Sequence, residues 1–103
     1  MAEKVIAGVT VKVNAEEYFV DPAQWNKAMA VEMAGEYGIQ LTDKHLAVLE
    51  FLRKRFMAGE QLTIRRVGTS EITNIKEFYQ LFPGGPLKIS SKLAGIPKPT
   101  SCI

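Results

Sequence analysis

The sequence predicts an α+β fold, a small N-terminal β-hairpin or meander packed on four to five short helices, followed by an extended C-terminal arm. Three observations predict it. Val9, Val11 and Val13 alternate with Thr10 and Lys12, the period-two pattern of a half-buried strand. From Asp21 onward, apolar residues recur at helical spacing between cap residues and glycines. Near its end the chain reads Pro97-Lys98-Pro99, which no helix can continue.

Taken in order, Val5-Ile6-Ala7-Gly8 leads into the Val9–Val13 strand, Asn14 is a turn residue, and Tyr18-Phe19-Val20 reads as a short returning strand. Asp21 as N-cap and Pro22 at the first helical position open a helix. Trp25, Ala28, Met29, Met33 and Tyr37 share its inner face, and Gly38 stops it. Thr42 caps the next helix, with Asp43 in its first turn and Leu46, Leu49, Leu52 and Phe56 as its buried stripe. Arg53, Lys54 and Arg55 crowd its last turn, where cations favour the helix dipole, and Gly59 ends it. Residues 62–68 read as a short helix capped by Thr63. Asn74-Ile75-Lys76-Glu77 resembles a capping box and starts a helix carrying Phe78, Leu81 and Phe82. Pro83-Gly84-Gly85-Pro86 breaks the chain, Pro86 opens a last helix over residues 87–94, and Gly95 closes it. Residues 1–95 are thus expected as the globular unit and 96–103 as a mobile arm.

Composition narrows the class. With 103 residues, 47% apolar and 23% charged, the chain is one small globular domain rather than a disordered segment. A net charge of +2 is too small to argue for nucleic acid. Residues 1–11 include Glu3, Lys4 and Gly8 without a long apolar stretch, so no secretory signal is expected. No apolar run approaches the roughly 18 residues of a membrane span. Cys102 is the sole cysteine, so no internal disulfide can form, and a free thiol fits a reducing cytoplasm. One histidine, His45, and one distant cysteine make no metal-ligand pattern, and neither metal nor other cofactor is expected.

The position of Cys102 carries the functional reading. A lone cysteine is usually a small buried hydrophobe. Lys98, Pro99, Thr100 and Ser101 offer little apolar surface to bury this one. The prolines fix φ and bias Ile96 and Lys98 toward extended backbone. In a polyproline-like arm the residues beyond Ile96 span roughly 20 Å, enough to enter a partner's active site. Gly95 supplies a hinge at its base, and Gly95, Pro97, Lys98 and Pro99 are the arm residues that matter most. The carboxylate of Ile103 disfavours the Cys102 thiolate, while Lys98 favours it, as would Arg65, Arg66, Lys88 or Lys92 if the arm folds back over them. Chemically, a single thiol can take up sulfane sulfur as a persulfide or form a mixed disulfide with another thiol.

Tyr79-Gln80-Leu81-Phe82-Pro83-Gly84-Gly85-Pro86, then Lys92-Leu93-Ala94-Gly95-Ile96-Pro97-Lys98-Pro99-Thr100-Ser101-Cys102-Ile103, resembles the C-terminal signature of the DsrC/TusE sulfur-carrier family. The hairpin, the Asp21-Pro22…Trp25 entry and Leu41-Thr42-Asp43-Lys44-His45 are similar to that family's elements in the same order. The resemblance implies that Cys102 is the sulfur-carrying residue. DsrC proteins proper have a second cysteine at the position of Ser91, so the resemblance is to the single-cysteine TusE type. It implies a relay component with no small-molecule turnover of its own. A TusBCD-like donor complex and a tRNA 2-thiouridylase acceptor are its implied partners, with sulfite-reductase-type partners as the alternative. The family's Ile-Arg pair maps to Ile64-Arg65, which implies a place for Arg65 near the arm, steering it or stabilising the thiolate. His45-Leu46 departs from the family's His-Trp.

Two other classes compete. Residues 62–82 read as a DNA-binding helix-turn-helix, but Lys76, Glu77, Tyr79 and Gln80 on its second helix nearly cancel in charge, poor for phosphate contact. A non-catalytic regulator would dock the arm on an enzyme without carrying sulfur. It predicts that Cys102→Ser leaves function intact.

Overall fold

The computed structural model describes residues 2–97. Strand β1 (Ala2–Ile6) pairs antiparallel with β2 (Val9–Val13), in a register that sets Ile6 opposite Val9 and Ala2 opposite Val13. The turn between them is Ala7-Gly8, with φ of 51° and 79°, the doubly positive geometry whose twist matches a two-residue hairpin. Ala7 N–H is held there by the Glu32 carboxylate. This register turns Ile6, Val11 and Val13 inward and leaves Val5 exposed. The hairpin therefore closes upstream of Asn14. Tyr18-Phe19-Val20 forms no full strand; it adds one bridge, Val13 to Phe19. Asn14 Oδ1 accepts from the N–H groups of Glu16 and Tyr18, which folds residues 14–18 into a tight loop.

The helix expected from Asp21 is split. Asp21 caps only a 3-10 turn, Pro22–Gln24. Trp25 is extended, and Asn26 caps α1 (Lys27–Glu36), its side chain accepting from Met29 N–H. Met29 and Met33 are buried as expected, but Ala28 is exposed. Helix α2 (Asp43–Met57) starts at Thr42. His45 completes the cap in place of the usual Glu: its Nδ1 accepts from Thr42 N–H at 3.2 Å, and its Nε2 lies 2.9 Å from the Leu81 carbonyl. A ring nitrogen that accepts from a backbone N–H carries no proton, so Nε2–H is the donor to Leu81. His45 is thereby a structural latch between the start of α2 and Leu81.

Helix α3 (Ile64–Gly68) is capped by Thr63, and α4 (Ile75–Leu81) by Asn74. Only half of the expected box forms at α4: the Glu77 carboxylate turns to Thr73 Oγ1, 2.6 Å away, and to Lys44. Helix α5 (Pro86–Leu93) opens on Pro86 and packs against α1, α2 and α4. Six of its eight residues are buried, so this short helix is the centre of the core rather than a surface appendage. Phe19, Met29, Leu49, Leu52, Phe78 and Phe82 surround Leu87 and Leu93.

Candidate functional site

The functional reading rests on the segment leaving α5, and the described part of that segment is firmly built. Leu93 is the last residue of α5, and Ala94 is its C-cap. Gly95 follows at φ 66°, a left-handed conformation that glycine adopts without penalty. Its N–H bonds the Lys92 carbonyl at 3.1 Å, and Ile96 N–H bonds the Ser91 carbonyl at 3.2 Å. These two bonds are the Schellman closure of a helix. Ile96 is wholly buried. Ile96 belongs to the core, and Pro97 after it is half-buried. Gly95 is a buried cap at the end of α5. A Cβ on it would sit 2.3 Å from Trp25 Cδ1 and 2.5 Å from Cγ, so the indole lies directly on the glycine.

The next carbonyls of α5 are taken from outside the helix. Trp25 Nε1–H donates to the Leu93 carbonyl at 2.7 Å. Arg53 Nη1 donates to the Ala94 carbonyl at 2.9 Å, while Nη2 donates to the Pro22 carbonyl at 3.0 Å. The guanidinium carbon stands 4.4 Å from the centre of the Trp25 ring. A cation here meets the negative end of the α5 dipole, and hydrogen bonds from a charged donor contribute about 1.5–3 kcal/mol each. Burial lowers the Arg53 guanidinium from its ordinary value, yet arginine stays protonated at any working pH. Three parts of the chain, the 3-10 turn, α2 and the end of α5, meet at this one side chain.

Sequence reasoning placed Arg53 in a run of helix-ending cations and Trp25 in the core, and missed their joint role. Arg65, the expected thiolate partner, is exposed on α3. Arg53 is a further cation, bonded to the Ala94 carbonyl at the end of α5. Arg66 lines a cleft of about 310 Å³ with Phe51, Arg55, Glu60 and Leu62, between α2 and α3. Cys102, Lys98 and Pro99 lie outside the described residues.

Two further groups stand near the end of α5. Ser91 is wholly buried, and its Oγ has no partner among the described residues. Lys92 Nζ lies 5.2 Å from the Tyr18 ring. The Tyr18 hydroxyl is buried and likewise unpartnered among those residues; burial, and then Glu16 and Tyr37, push it up to about 12. Among the described residues no group of three His, Cys, Asp or Glu side chains is placed to hold a metal ion. No described helix is long and apolar enough to cross a membrane.

Known proteins share this architecture. Sulfurtransferase TusE of Pectobacterium atrosepticum is 33% identical over 104 residues, covering 93% of this chain and 95% of that protein. Sulfurtransferase TusE of Salmonella typhimurium is 31% identical over 107 residues, covering 96% and 98%. The fold matches the crystal structure of dissimilatory sulfite reductase I (DsrI) with a TM-score of 0.85 at 30% identity, over 99% of this chain and 100% of that one. It matches the oxidised γ-subunit of the dissimilatory sulfite reductase (DsrC) from Archaeoglobus fulgidus with a TM-score of 0.80 at 26% identity, over 99% and 100%. The sequence model described as DsrC-like protein matches residues 5–103, a span that includes Cys102. Hairpin, five helices and C-terminal segment together place this chain in the DsrC-like protein family.

Proposed function

We propose that this protein is a sulfur carrier in which Cys102 accepts sulfane sulfur as a persulfide and hands it to a partner protein. The observation that carries the reading is the family match running through Cys102, the sole cysteine in the sequence. The names of the TusE relatives support the same class. In the loading step the Cys102 thiolate attacks the outer sulfur of a donor persulfide. A new S–S bond forms, the donor S–S bond breaks, and the donor leaves as a thiolate. No net oxidation occurs, so no electron acceptor is needed. Unloading repeats the exchange with an acceptor thiol.

Without a second cysteine the carrier cannot oxidise itself to an internal disulfide, which favours the relay to tRNA 2-thiouridine synthesis over dissimilatory sulfur chemistry. A TusBCD-like donor and a tRNA thiouridylase acceptor are the partners of this reading, in the cytoplasm. The likeness to DsrC and DsrI chains favours a second reading with sulfite-reductase-type partners, but Ser91 weighs against it.

Intact-protein mass spectrometry after incubation with polysulfide tests the proposal. Wild type is expected to gain one sulfur mass that a reductant removes, and Cys102→Ser to gain none. An unmodified, free Cys102 thiol after exposure to both polysulfide and a persulfidated donor protein would refute it.

A further inference from the structure

We propose that Arg53 and Trp25 are positioning residues for sulfur transfer, fixing the direction in which the arm leaves the core and therefore where Cys102 is presented. This rests on the carrier reading above and adds to it the part of the molecule that aims the carrier. The Schellman bonds of Gly95 and Ile96 already close α5 through the carbonyls of Lys92 and Ser91. That closure leaves the Leu93 and Ala94 carbonyls, on two buried residues, to be satisfied from outside the helix. They are held by Trp25 Nε1–H and Arg53 Nη1–H, side chains from two other parts of the chain. Arg53 is also fastened to the Pro22 carbonyl, so the guanidinium refers the exit to a second, independent element. The indole occupies the volume a side chain on Gly95 would need, which fixes the exit sterically as well.

Leverage makes this control consequential. Cys102 lies five residues beyond Pro97 in the sequence. A polyproline-like chain of that length spans about 15 Å. A change of about 20° in the exit direction would then sweep its tip by about 5 Å, whereas sulfur exchange needs the reacting atoms within roughly 3–3.5 Å. Lysine cannot take the place of Arg53, because its single ammonium lacks the planar fork that reaches two carbonyls while lying on a ring.

The sequence supplies its own probes: one tryptophan, Trp25, at the root of the arm, and one cysteine, Cys102, to carry a maleimide dye. Time-resolved energy transfer from Trp25 to that dye reports the distribution of arm positions without any sulfur chemistry. Arg53→Met keeps bulk and removes the fork. It is expected to broaden the distance distribution about twofold, as for a chain released from its anchor. Persulfidation of unlabelled Cys102 by polysulfide should proceed at the wild-type rate, since a small donor needs no aimed arm. An unchanged distribution in a folded Arg53→Met protein overturns the proposal. If that variant unfolds, the same distribution is read on Arg53→Lys, where broadening supports the positioning role and the wild-type width overturns it. Failure of polysulfide to modify Cys102 in wild type overturns the carrier reading instead, and the energy-transfer result then still reports whether Arg53 orients the arm.

Discussion

Replacing Gly95 by alanine should destabilise the protein by about 3–6 kcal/mol, a figure built from two separate costs and one consequence. The first is backbone: φ is 66° at Gly95, and an L-residue in that region costs about 1–2 kcal/mol. The second is steric, since the new Cβ would stand 2.3, 2.5 and 2.6 Å from Trp25 Cδ1, Cγ and Cβ. Overpacking of this kind costs typically about 1–3 kcal/mol. Relief requires the indole to move, and movement endangers the 2.7 Å bond from Nε1 to the Leu93 carbonyl, a net contribution of about 1 kcal/mol. Against a total stability of about 5–15 kcal/mol for a domain, the loss is a large fraction. At about 4–8 °C per kcal/mol, the melting temperature should fall by at least roughly 12 °C. Urea unfolding followed by Trp25 fluorescence and far-ultraviolet circular dichroism measures it directly. A loss below about 1 kcal/mol would mean that Gly95 is a loose pivot, as sequence alone suggests, and would remove the locked root from the account.

Other perturbations test other parts of the structure. His45→Ala removes the cap on Thr42 N–H and the donor to the Leu81 carbonyl, and should cost about 2–4 kcal/mol in urea unfolding, with a cavity beside Phe82 adding to two lost bonds. Ser91→Ala deletes a buried hydroxyl with no partner among the described residues, so it should leave stability unchanged or raise it by about 1 kcal/mol, whereas a clear loss would reveal a bond to Ser91 Oγ. Tyr18 is pushed up to about 12 in the folded protein from an ordinary value of 10. The unfolded chain therefore loses that proton first on raising pH, and the stability held by the neutral phenol is intact below pH 10 and lost progressively between about 10 and 12. Urea midpoints across that window should fall in wild type and fall less in Tyr18→Phe.

Local signals made much of this fold legible. Thr42, Thr63 and Asn74 cap the helices they were expected to cap, Pro86 opens α5, and Gly95 closes it, because each cap acts on residues within one turn. The failures are equally specific. Asp21-Pro22 is a sound start signal, but Asn26 is a second one five residues on, and the apolar spacing through Trp25 and Met29 bridges a break it cannot reveal. The Ala7-Gly8 turn puts alanine at positive φ, against its own preference, and is held by Glu32 from α1. Arg53 looked like one of three cations at a helix end. Its partners are 31 and 41 residues away in sequence, so no reading of neighbours could single it out. Cys102 stood out through its isolation and through the resemblance of the segment around it.

The roles divide between one end of α5 and the segment beyond it. A carrier must present its thiol at a distance from its own body, yet a long arm loses entropy when it orders on a partner. Proline at positions 97 and 99 reduces the freedom there is to lose, and an anchored root removes the slack that proline cannot reach. That anchor sits on α5, six of whose eight residues are buried. Ser91 occupies the same helix, where a second sulfur would give the arm an internal destination. With serine there, any sulfur taken up by Cys102 has no thiol in its own chain to pass to. On the carrier reading, the exit direction proposed for Arg53 and Trp25 is then a property on which transfer to a partner depends.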